Sequence, residues 1–174
     1  MNFLLRFHPG VLFFLLVFPT FFWSFSVSGI CFFLLWTGVY IGWIYSIGKT
    51  MNALMPDKIR PNIKYFNFYC TGSVTMLFIM VALTYFNSTL YKLEDPIRIG
   101  ITVALTLFYF FLFFSMWMFA ARMLESVTEG RLVYRSDSIR AFFYFWMFPI
   151  GVWYIQPAVK RVLDKYRSHP AVNP

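Results

Sequence analysis

Charged residues are scarce in this chain of 174 residues. They make up 13% of it, whereas soluble domains usually carry about 25%. Hydrophobic residues make up 60% and aromatic residues alone 24%. A soluble fold of this length could not bury so much apolar surface, and several runs approach the roughly 20 apolar residues that cross a bilayer as a helix. The composition therefore excludes a soluble domain and predicts an all-α membrane protein with a single domain, residues 1–174.

Groups that could carry chemistry inside a membrane are scarce as well. The centres of the predicted crossing helices contain no Asp, Glu, Lys or His, although such groups mark most intramembrane enzymes and ion-coupled transporters. The sequence has no paired-carboxylate, HExxH, CxxC or GxSxG motif. The two histidines, His8 and His169, lie near opposite ends of the chain. We therefore predict no catalytic residues, no cofactor and no metal site.

The chain contains only two cysteines, Cys31 and Cys70, and both lie within apolar runs. A free cysteine behaves as a small hydrophobic side chain, so we expect both to occupy packing positions. A disulfide would require their two helices to bring the Cα atoms within about 7 Å of each other.

Acidic residues are few: 7 Asp and Glu stand against 15 Lys and Arg, which gives a net charge of +8. The basic residues are scattered between apolar runs, which argues against nucleic acid as a partner. Basic loops of membrane proteins lie on the cytoplasmic side and contact anionic lipid headgroups. The predicted headgroup contacts, in the first polar loop and the C-terminal tail, are Lys58, Arg60, Lys64, Lys160, Arg161, Lys165 and Arg167.

Four membrane-crossing helices are predicted, at about residues 9–25, 29–50, 65–87 and 97–124. Residues 10–48 contain no charge, and this run is too long for one crossing at ~1.5 Å per residue but about right for two. Small polar residues at 24–29 mark the turn between them. The alternative is a secretory signal over residues 1–28, which leaves the second helix pointing in the same direction.

The second helix carries small residues four positions apart, at Gly38, Gly42 and Ser46. Such a stripe lets two helix backbones approach closely. It predicts a helix-packing face, either between copies of the chain or against another helix of the same chain.

The last long apolar run, FFYFWMFPIGVWYIQP at residues 142–157, is interrupted by Pro149 and Gly151 and ends at Pro157. Proline removes a helical N–H, and glycine loosens the backbone. Each half would form only ~12 Å of helix, and tryptophans such as Trp153 prefer the headgroup level. We predict a re-entrant or interfacial segment at about 139–158, followed by a cytoplasmic tail, 159–174.

The distribution of Lys and Arg supports this threading. With the N-terminus inside and four crossings, nine basic residues lie on the cytoplasmic side and two outside before the last segment is placed. A fifth crossing, for which residues 139–158 are just long enough, gives nine against six, whereas a re-entrant segment gives thirteen against two. The positive-inside rule favours the larger bias, so we predict cytoplasmic N- and C-termini.

Two stretches, FFYFWMFPIGVWYIQPAVKRVL from Phe142 and GWIYSIGKTMNALMP at residues 42–56, resemble uncharacterised small integral membrane proteins of bacteria, chiefly of the Bacteroidetes group. The resemblance covers the last two-thirds of the chain, most closely residues 142–162. It implies a multi-pass protein of the bacterial inner membrane and carries no activity or functional residue with it. Ala158 departs from the family, in which we expect a basic residue after the proline, and this weakens the case for a fixed anion at that position.

These features favour a non-catalytic role. The predicted function is that of a subunit or adaptor of a membrane assembly, with a basic cytoplasmic face on anionic lipid and a second copy or another membrane protein as partner. The alternative is an oligomeric channel or transporter component, assembled through the face at Gly38, Gly42 and Ser46. A lipid-modifying enzyme is the third hypothesis.

Overall fold

The computed structural model describes residues 3–17, 27–85, 95–148 and 150–168. All regular structure in these ranges is helical, which confirms the predicted all-α class. The α-helices are α1 (Pro9–Val17), α2 (Val27–Leu54), α3 (Ile63–Tyr85), α4 (Asp95–Glu129), α5 (Ile139–Trp146) and α6 (Ile150–Ser168). Short 3-10 helices occupy Phe3–Arg6 and Asp57–Ile59. The C-terminal ends of the first and third predicted crossing helices, and Pro149, lie outside the described residues.

Three of these helices are long and apolar enough to cross a membrane: Ile30–Leu54 within α2, Ile63–Leu83 within α3 and Pro96–Glu129 within α4. Large apolar side chains on them are exposed; Leu35, Phe78 and Phe111 have exposed fractions between 56% and 59%. Apolar surface of this extent is unfavourable in water and normal against lipid. The three helices therefore indicate a membrane protein. The predicted first crossing begins with α1, of which nine residues are described.

The described residues form two compact units. The first is built from residues of 1–61 and 117–174, and within it α6 packs against α1, α5 and the N-terminal 3-10 helix. Its core is apolar and aromatic: the exposed fractions of Trp43, Phe145 and Val152 are at most 1%.

The second unit covers residues 62–116, which form α3 and the N-terminal part of α4. Gly72 allows the two helices to approach, because a Cβ at this position would lie 3.1 Å from Leu112 Cδ1. Tyr69 and Phe111 pack edge to face with their ring centroids 6.5 Å apart. The buried Ser73 hydroxyl donates a 2.8 Å hydrogen bond to the Tyr69 carbonyl oxygen. Gly72 in the first half of α3 therefore serves a helix–helix contact.

The loop between α4 and α5 is fixed by polar contacts with α4. Gly130 directly follows α4 with a φ of 70°, in the left-handed region where glycine is favoured at a helix end. Arg122 Nε donates to the Val133 carbonyl oxygen at 2.8 Å, and the Val133 N–H donates to Ser126 Oγ at 3.2 Å. These bonds set the position from which α5 starts, and with it the position of Arg140.

The helix α6 continues past Pro157 as far as Ser168, so the predicted tail begins as part of this helix. Proline inside a helix removes one N–H and is unfavourable by about 3 kcal/mol. Val159, Val162 and Leu163 follow at helical spacing, and their exposed fractions are at most 9%. Burial of these three side chains compensates for the proline, because each contributes roughly 1.5–3 kcal/mol when fully buried.

Candidate functional site

The helices α5 and α6 fold back on each other and form a hairpin, called here the α5–α6 hairpin (Ile139–Trp146 with Ile150–Ser168). The rings of Tyr144 and Tyr154 stack with centroids 4.7 Å apart and planes 6° from parallel. In one straight helix these residues would lie ~15 Å apart along the axis. Gly151 makes the close return feasible, because a Cβ at this position would overlap the Tyr144 carbonyl oxygen.

The inner face of the hairpin is anchored to α2 through aromatic residues. The Tyr40 hydroxyl donates a 2.6 Å hydrogen bond to the Phe145 carbonyl oxygen, near the end of α5. The ring centroids of Trp43 and Phe145 lie 5.7 Å apart, and those of Tyr40 and Phe148 lie 5.2 Å apart. Aromatic pairs at such separations contribute about 0.5–1.5 kcal/mol beyond the burial of their area. The turn of the hairpin is therefore held firmly within the first unit.

Gln156 is the polar centre of this packing and is fully buried. Its Oε1 accepts a hydrogen bond from Trp43 Nε1 at 3.0 Å. Its Nε2 lies within donating distance of three carbonyl oxygens, those of Leu4 at 3.4 Å, Leu5 at 3.0 Å and Phe7 at 3.2 Å. One amide thus ties α6, α2 and the N-terminal segment together. Sequence reasoning did not identify Gln156, and the one available signal was a polar side chain in an apolar run, where burial requires hydrogen-bond partners.

The outer face of the hairpin is apolar and exposed. Four large side chains near the turn have exposed fractions between 45% and 54%: Phe143, Trp146, Met147 and Ile150. Trp153 is partly exposed as well, and its ring packs against Phe13 of α1 with centroids 5.9 Å apart. A concentration of apolar surface on one face marks a contact with lipid or protein. The part of the hairpin near its turn is therefore apolar on its exposed side, whereas the cations Arg140, Arg161 and Lys165 lie at the other end, and such a segment suits insertion into one leaflet of a bilayer.

A cavity of about 490 Å³, called here the basal cavity, opens between α4, α5 and α6 at the end of the hairpin that lies away from its turn. Its cations are Arg140, from the first turn of α5, and Arg161 and Lys165, one turn apart on α6. Glu125 of α4 lines the same cavity. Three tyrosines also line the cavity: Tyr144, Tyr154 and Tyr166.

Two further basic cavities border the second half of α6. One has a volume of about 860 Å³ and lies beside the ends of α2 and α4, and the other has about 330 Å³ and lies beside the N-terminal segment. Their basic lining residues are Lys58, Arg60 and Lys165 in the larger cavity, and Arg6, Lys160 and Arg167 in the smaller. Six of the seven predicted headgroup residues therefore line one of three cavities around α6. The seventh, Lys64, is exposed in the first turn of α3, in the second unit.

The structure gives Arg60 a second role, at the C-terminal end of α2. Its Nη2 donates to the carbonyl oxygens of Met55 at 2.8 Å and Ala53 at 3.2 Å, and its Nε donates to the Met55 oxygen at 3.2 Å. Its Nη1 also lies 2.8 Å from Asp57 Oδ1. These are the carbonyls that a helix leaves unpaired at its C-terminus. The guanidinium is therefore occupied by the chain itself, whereas Lys58 is exposed beside it.

The predicted packing face on α2 contains three different environments. Gly38 is exposed, and within the described part of the chain a Cβ there would have no heavy atom within 4 Å. A Cβ at Gly42 would lie 3.5 Å from Leu4 Cδ1, and Ser46 is buried with an exposed fraction of 7%. Gly42 therefore packs against the chain's own N-terminal segment, whereas none of the described residues covers Gly38.

Ala158 lines the basal cavity, although it supplies no charge to it. The positive charge comes instead from Arg140, on the other helix of the hairpin, and from Arg161 and Lys165. Sequence reasoning counted Arg140 among the cytoplasmic loop residues and did not join it to the headgroup set. No sequence spacing connects it to Arg161, because their proximity depends on the turn between α5 and α6.

Within the described ranges, no group of three or more His, Cys, Asp or Glu side chains is placed to hold a metal ion. Cys31 is exposed and Cys70 is buried, both as free thiols. No family model matches the chain, and comparison with curated proteins and with solved structures also gives no match. The function is therefore argued from the geometry: an apolar hairpin with a basic, tyrosine-lined cavity at its base.

Proposed function

We propose that this chain is a non-catalytic integral membrane protein, a subunit or adaptor of a membrane assembly whose basic cytoplasmic face contacts anionic lipid. The α5–α6 hairpin carries the proposal, since it has exposed Trp146 and Trp153 near its turn and Arg140 and Arg161 at its base. An apolar tip and a cationic base are the two features of a segment that enters one leaflet and contacts its headgroups.

The dimensions of the hairpin support insertion rather than crossing. The eight residues of α5 rise ~12 Å, less than half of the ~30 Å hydrocarbon core. The return of α6 brings Arg161 to the same cavity as Arg140, which supports a position for both cations at one membrane face. Broken backbone at membrane depth must be covered by protein, and the hydrogen bond from Tyr40 to the Phe145 carbonyl oxygen supplies such cover.

The proposed threading has four crossing helices, the first beginning with α1 and the others formed by α2, α3 and α4, with the hairpin as a re-entrant or interfacial segment. Both termini then lie in the cytoplasm, and the count of thirteen basic residues inside against two outside agrees with the positive-inside rule. The 35 residues of α4 extend over ~53 Å, so its C-terminal part reaches beyond the ~30 Å core toward the headgroups. Following the resemblance, we place the protein in a bacterial inner membrane.

The proposed partners are anionic lipid and either a second copy of the chain or another membrane protein. Gly38 is a place on α2 where a second helix could approach, because it is exposed and no heavy atom of the described residues would lie within 4 Å of a Cβ there. Close backbone approach at small residues is the usual basis of helix association in membranes.

Cysteine labelling tests the threading. In a chain with Cys31→Ser and Cys70→Ala, a cysteine placed at Ser168 should resist a membrane-impermeant maleimide in intact spheroplasts and react after permeabilisation. The matched control is a cysteine at Ile97, near the start of α4, which should react in intact spheroplasts. Reaction at position 168 from the outside would make the hairpin a fifth crossing and would overturn the proposed cytoplasmic basic face.

One observation favours the lipid-modifying enzyme as a second candidate. Glu125 is a carboxylate that lines the basal cavity together with Arg140, and a general acid or base for a bound lipid headgroup would need such a position. Turnover of an anionic lipid by the purified chain, abolished by Glu125→Gln, would replace the non-catalytic proposal with this one.

A further inference from the structure

We propose that the basal cavity is a binding site for the phosphate group of a phosphomonoester lipid, of the phosphatidate class, and prefers it to phosphodiester lipids. The inference rests on the proposed function, because it takes the hairpin to enter the cytoplasmic leaflet. The proposed function assigns anionic lipid to the basic cytoplasmic face as a whole. The inference assigns one headgroup class, a phosphate that carries close to two negative charges, to one cavity.

The convergence of three cations from two helices is the first support. Arg140 begins α5 and Arg161 and Lys165 follow the middle of α6, yet all three line one cavity of about 490 Å³. The described residues give Arg161 and Lys165 no ion-pair partner. Arg161 and Arg140 can each present two parallel N–H donors to one phosphate, a geometry that a lysine cannot offer.

The net charge of the lining selects the ligand. Three cations and one carboxylate, Glu125, give the cavity a formal charge of +2. A phosphomonoester carries roughly −1.5 to −2 at pH 7, whereas the phosphate of a diester lipid carries a single negative charge. A monoester therefore neutralises the cavity, and its three terminal oxygens can accept bonds from all three cations.

The tyrosines give the cavity a defined wall. Tyr144 and Tyr154 are stacked at 4.7 Å, so their rings are fixed by each other as well as by the hairpin. A phenol can donate a hydrogen bond to a phosphate oxygen, and its ring can lie against the first carbons of an acyl chain. The Thr128 hydroxyl, which lines the same cavity, already donates to the Leu124 carbonyl oxygen at 2.8 Å and is not needed for binding.

The surroundings of the cavity favour a lipid over a soluble phosphate. Beyond Tyr144 and Tyr154 the hairpin continues into its apolar outer face, where Trp146 and Ile150 have exposed fractions between 52% and 54%. Acyl chains can extend along that face while the phosphate occupies the basic end. A soluble phosphomonoester would use the cations and leave the apolar face without an occupant.

The smaller cavity on the other side of α6 offers a matched control. Its cations Arg6, Lys160 and Arg167 face a single acid, Asp164, which gives the same formal charge of +2. Arg167 and Asp164 lie 3.9 Å apart, and the remaining lining is aliphatic, Leu5 and Leu163. Lys160 and Arg161 are adjacent in sequence and on one helix, yet they line different cavities.

The experiment uses the purified full chain in phosphatidylcholine nanodiscs that contain a minor fraction of phosphatidate or, in parallel, of phosphatidylglycerol. Native mass spectrometry counts the anionic lipids that remain bound. We expect the wild type to retain phosphatidate about tenfold more than phosphatidylglycerol, since the monoester can accept more charge-assisted hydrogen bonds. The double variant Arg140→Gln/Arg161→Gln should lose that preference, and Lys160→Gln/Arg167→Gln, with the same charge change, should keep it.

Several results would overturn the site. Equal losses in the two double variants would show a general surface-charge effect, and equal retention of the two lipids would exclude selectivity for the monoester. Competition by glycerol 3-phosphate or inorganic phosphate as strong as that by phosphatidate, measured in detergent, would assign the cavity to a soluble anion. Lys165→Gln, an exposed side chain, repeats the test if the first double variant does not fold. If the lipid-binding experiment fails and the cysteine at position 168 is labelled only after permeabilisation, this inference alone is refuted. If that cysteine is labelled from the outside, the proposed function is refuted as well.

Discussion

The hydroxyl of Tyr40 donates a 2.6 Å hydrogen bond to the carbonyl oxygen of Phe145, 105 residues along the chain. The chemistry of the sequence explains why this bond is needed. In a continuing helix the Phe145 carbonyl would accept from the N–H of residue 149, and residue 149 is proline, which has no N–H. The phenol of Tyr40 takes the place of the missing donor at a buried point of the hairpin.

Tyr40→Phe should therefore destabilise the hairpin. The substitution keeps the ring and removes only the hydroxyl, which leaves the buried Phe145 carbonyl unpaired at a cost of about 1–3 kcal/mol. Thermal unfolding in detergent and hydrogen exchange of residues 143–148 measure the effect. Tyr65→Phe is the control, since that ring is 66% exposed, and an equal loss of stability in both variants would contradict the assignment.

Gly151→Ala should be more damaging than any other glycine-to-alanine change in the described chain. The added Cβ would overlap the Tyr144 backbone carbonyl, so α5 and α6 would have to separate, and we expect a loss of about 3 kcal/mol or more, at the upper end of overpacking effects. Gly100→Ala, where a Cβ would have no heavy atom of the described residues within 4 Å, should be neutral or stabilising by up to about 1 kcal/mol. The midpoint of thermal unfolding compares them, and similar midpoints for both variants would refute the close return of α6.

Gln156→Leu should release the N-terminal segment. The leucine fills a similar volume but removes the amide from two buried partners, Trp43 Nε1 and the Leu5 carbonyl oxygen, and we expect a loss of about 2–4 kcal/mol because buried polar groups lose a hydrogen-bond partner. Limited trypsin digestion in detergent should show faster cleavage after the exposed Arg6.

Cleavage in the loop between α4 and α5 serves as the internal reference for that digestion. Arg131 and Arg135 are exposed there and are remote from Gln156 in the hydrogen-bond network, so the rate of cleavage after them should be unchanged. An equal increase in the rate of cleavage after all three arginines would indicate global unfolding and would count against a specific role of Gln156 in holding the N-terminal segment.

The helical class and the long apolar helices could be predicted because they depend on local composition and run length. The break at Pro149 and Gly151 was also visible in the sequence, as a loss of helical continuity. The return of α6 against α5 was not visible in the sequence, since it depends on the close approach of Gly151 to the Tyr144 carbonyl. We interpreted Gly151 as a source of looseness, whereas the structure shows a position where only glycine has room.

The candidate site was predictable in its residue types and not in its grouping. Lys and Arg around the tail were expected to contact headgroups, but Arg140 and Arg161 line one cavity only because the chain turns between α5 and α6. Gln156 bonds to residues up to 152 positions away, so no local pattern can indicate its partners. Contacts of this range are outcomes of packing, and propensity and periodicity do not encode them.

The two basic residues of the first polar loop, Lys58 and Arg60, should respond differently to the same substitution. Arg60→Gln removes the donors that hold the carbonyl oxygens of Ala53 and Met55 and separates the ion pair with Asp57, and we expect a loss of about 1–2 kcal/mol because a charged C-terminal cap is lost. Lys58→Gln should change stability by less than about 0.5 kcal/mol, as exposed substitutions usually do. Thermal unfolding in detergent, where no anionic lipid is present, separates the capping role from any headgroup contact. If both variants melted like the wild type, Arg60 would be a surface cation like Lys58, and its place at the end of α2 would carry no stability.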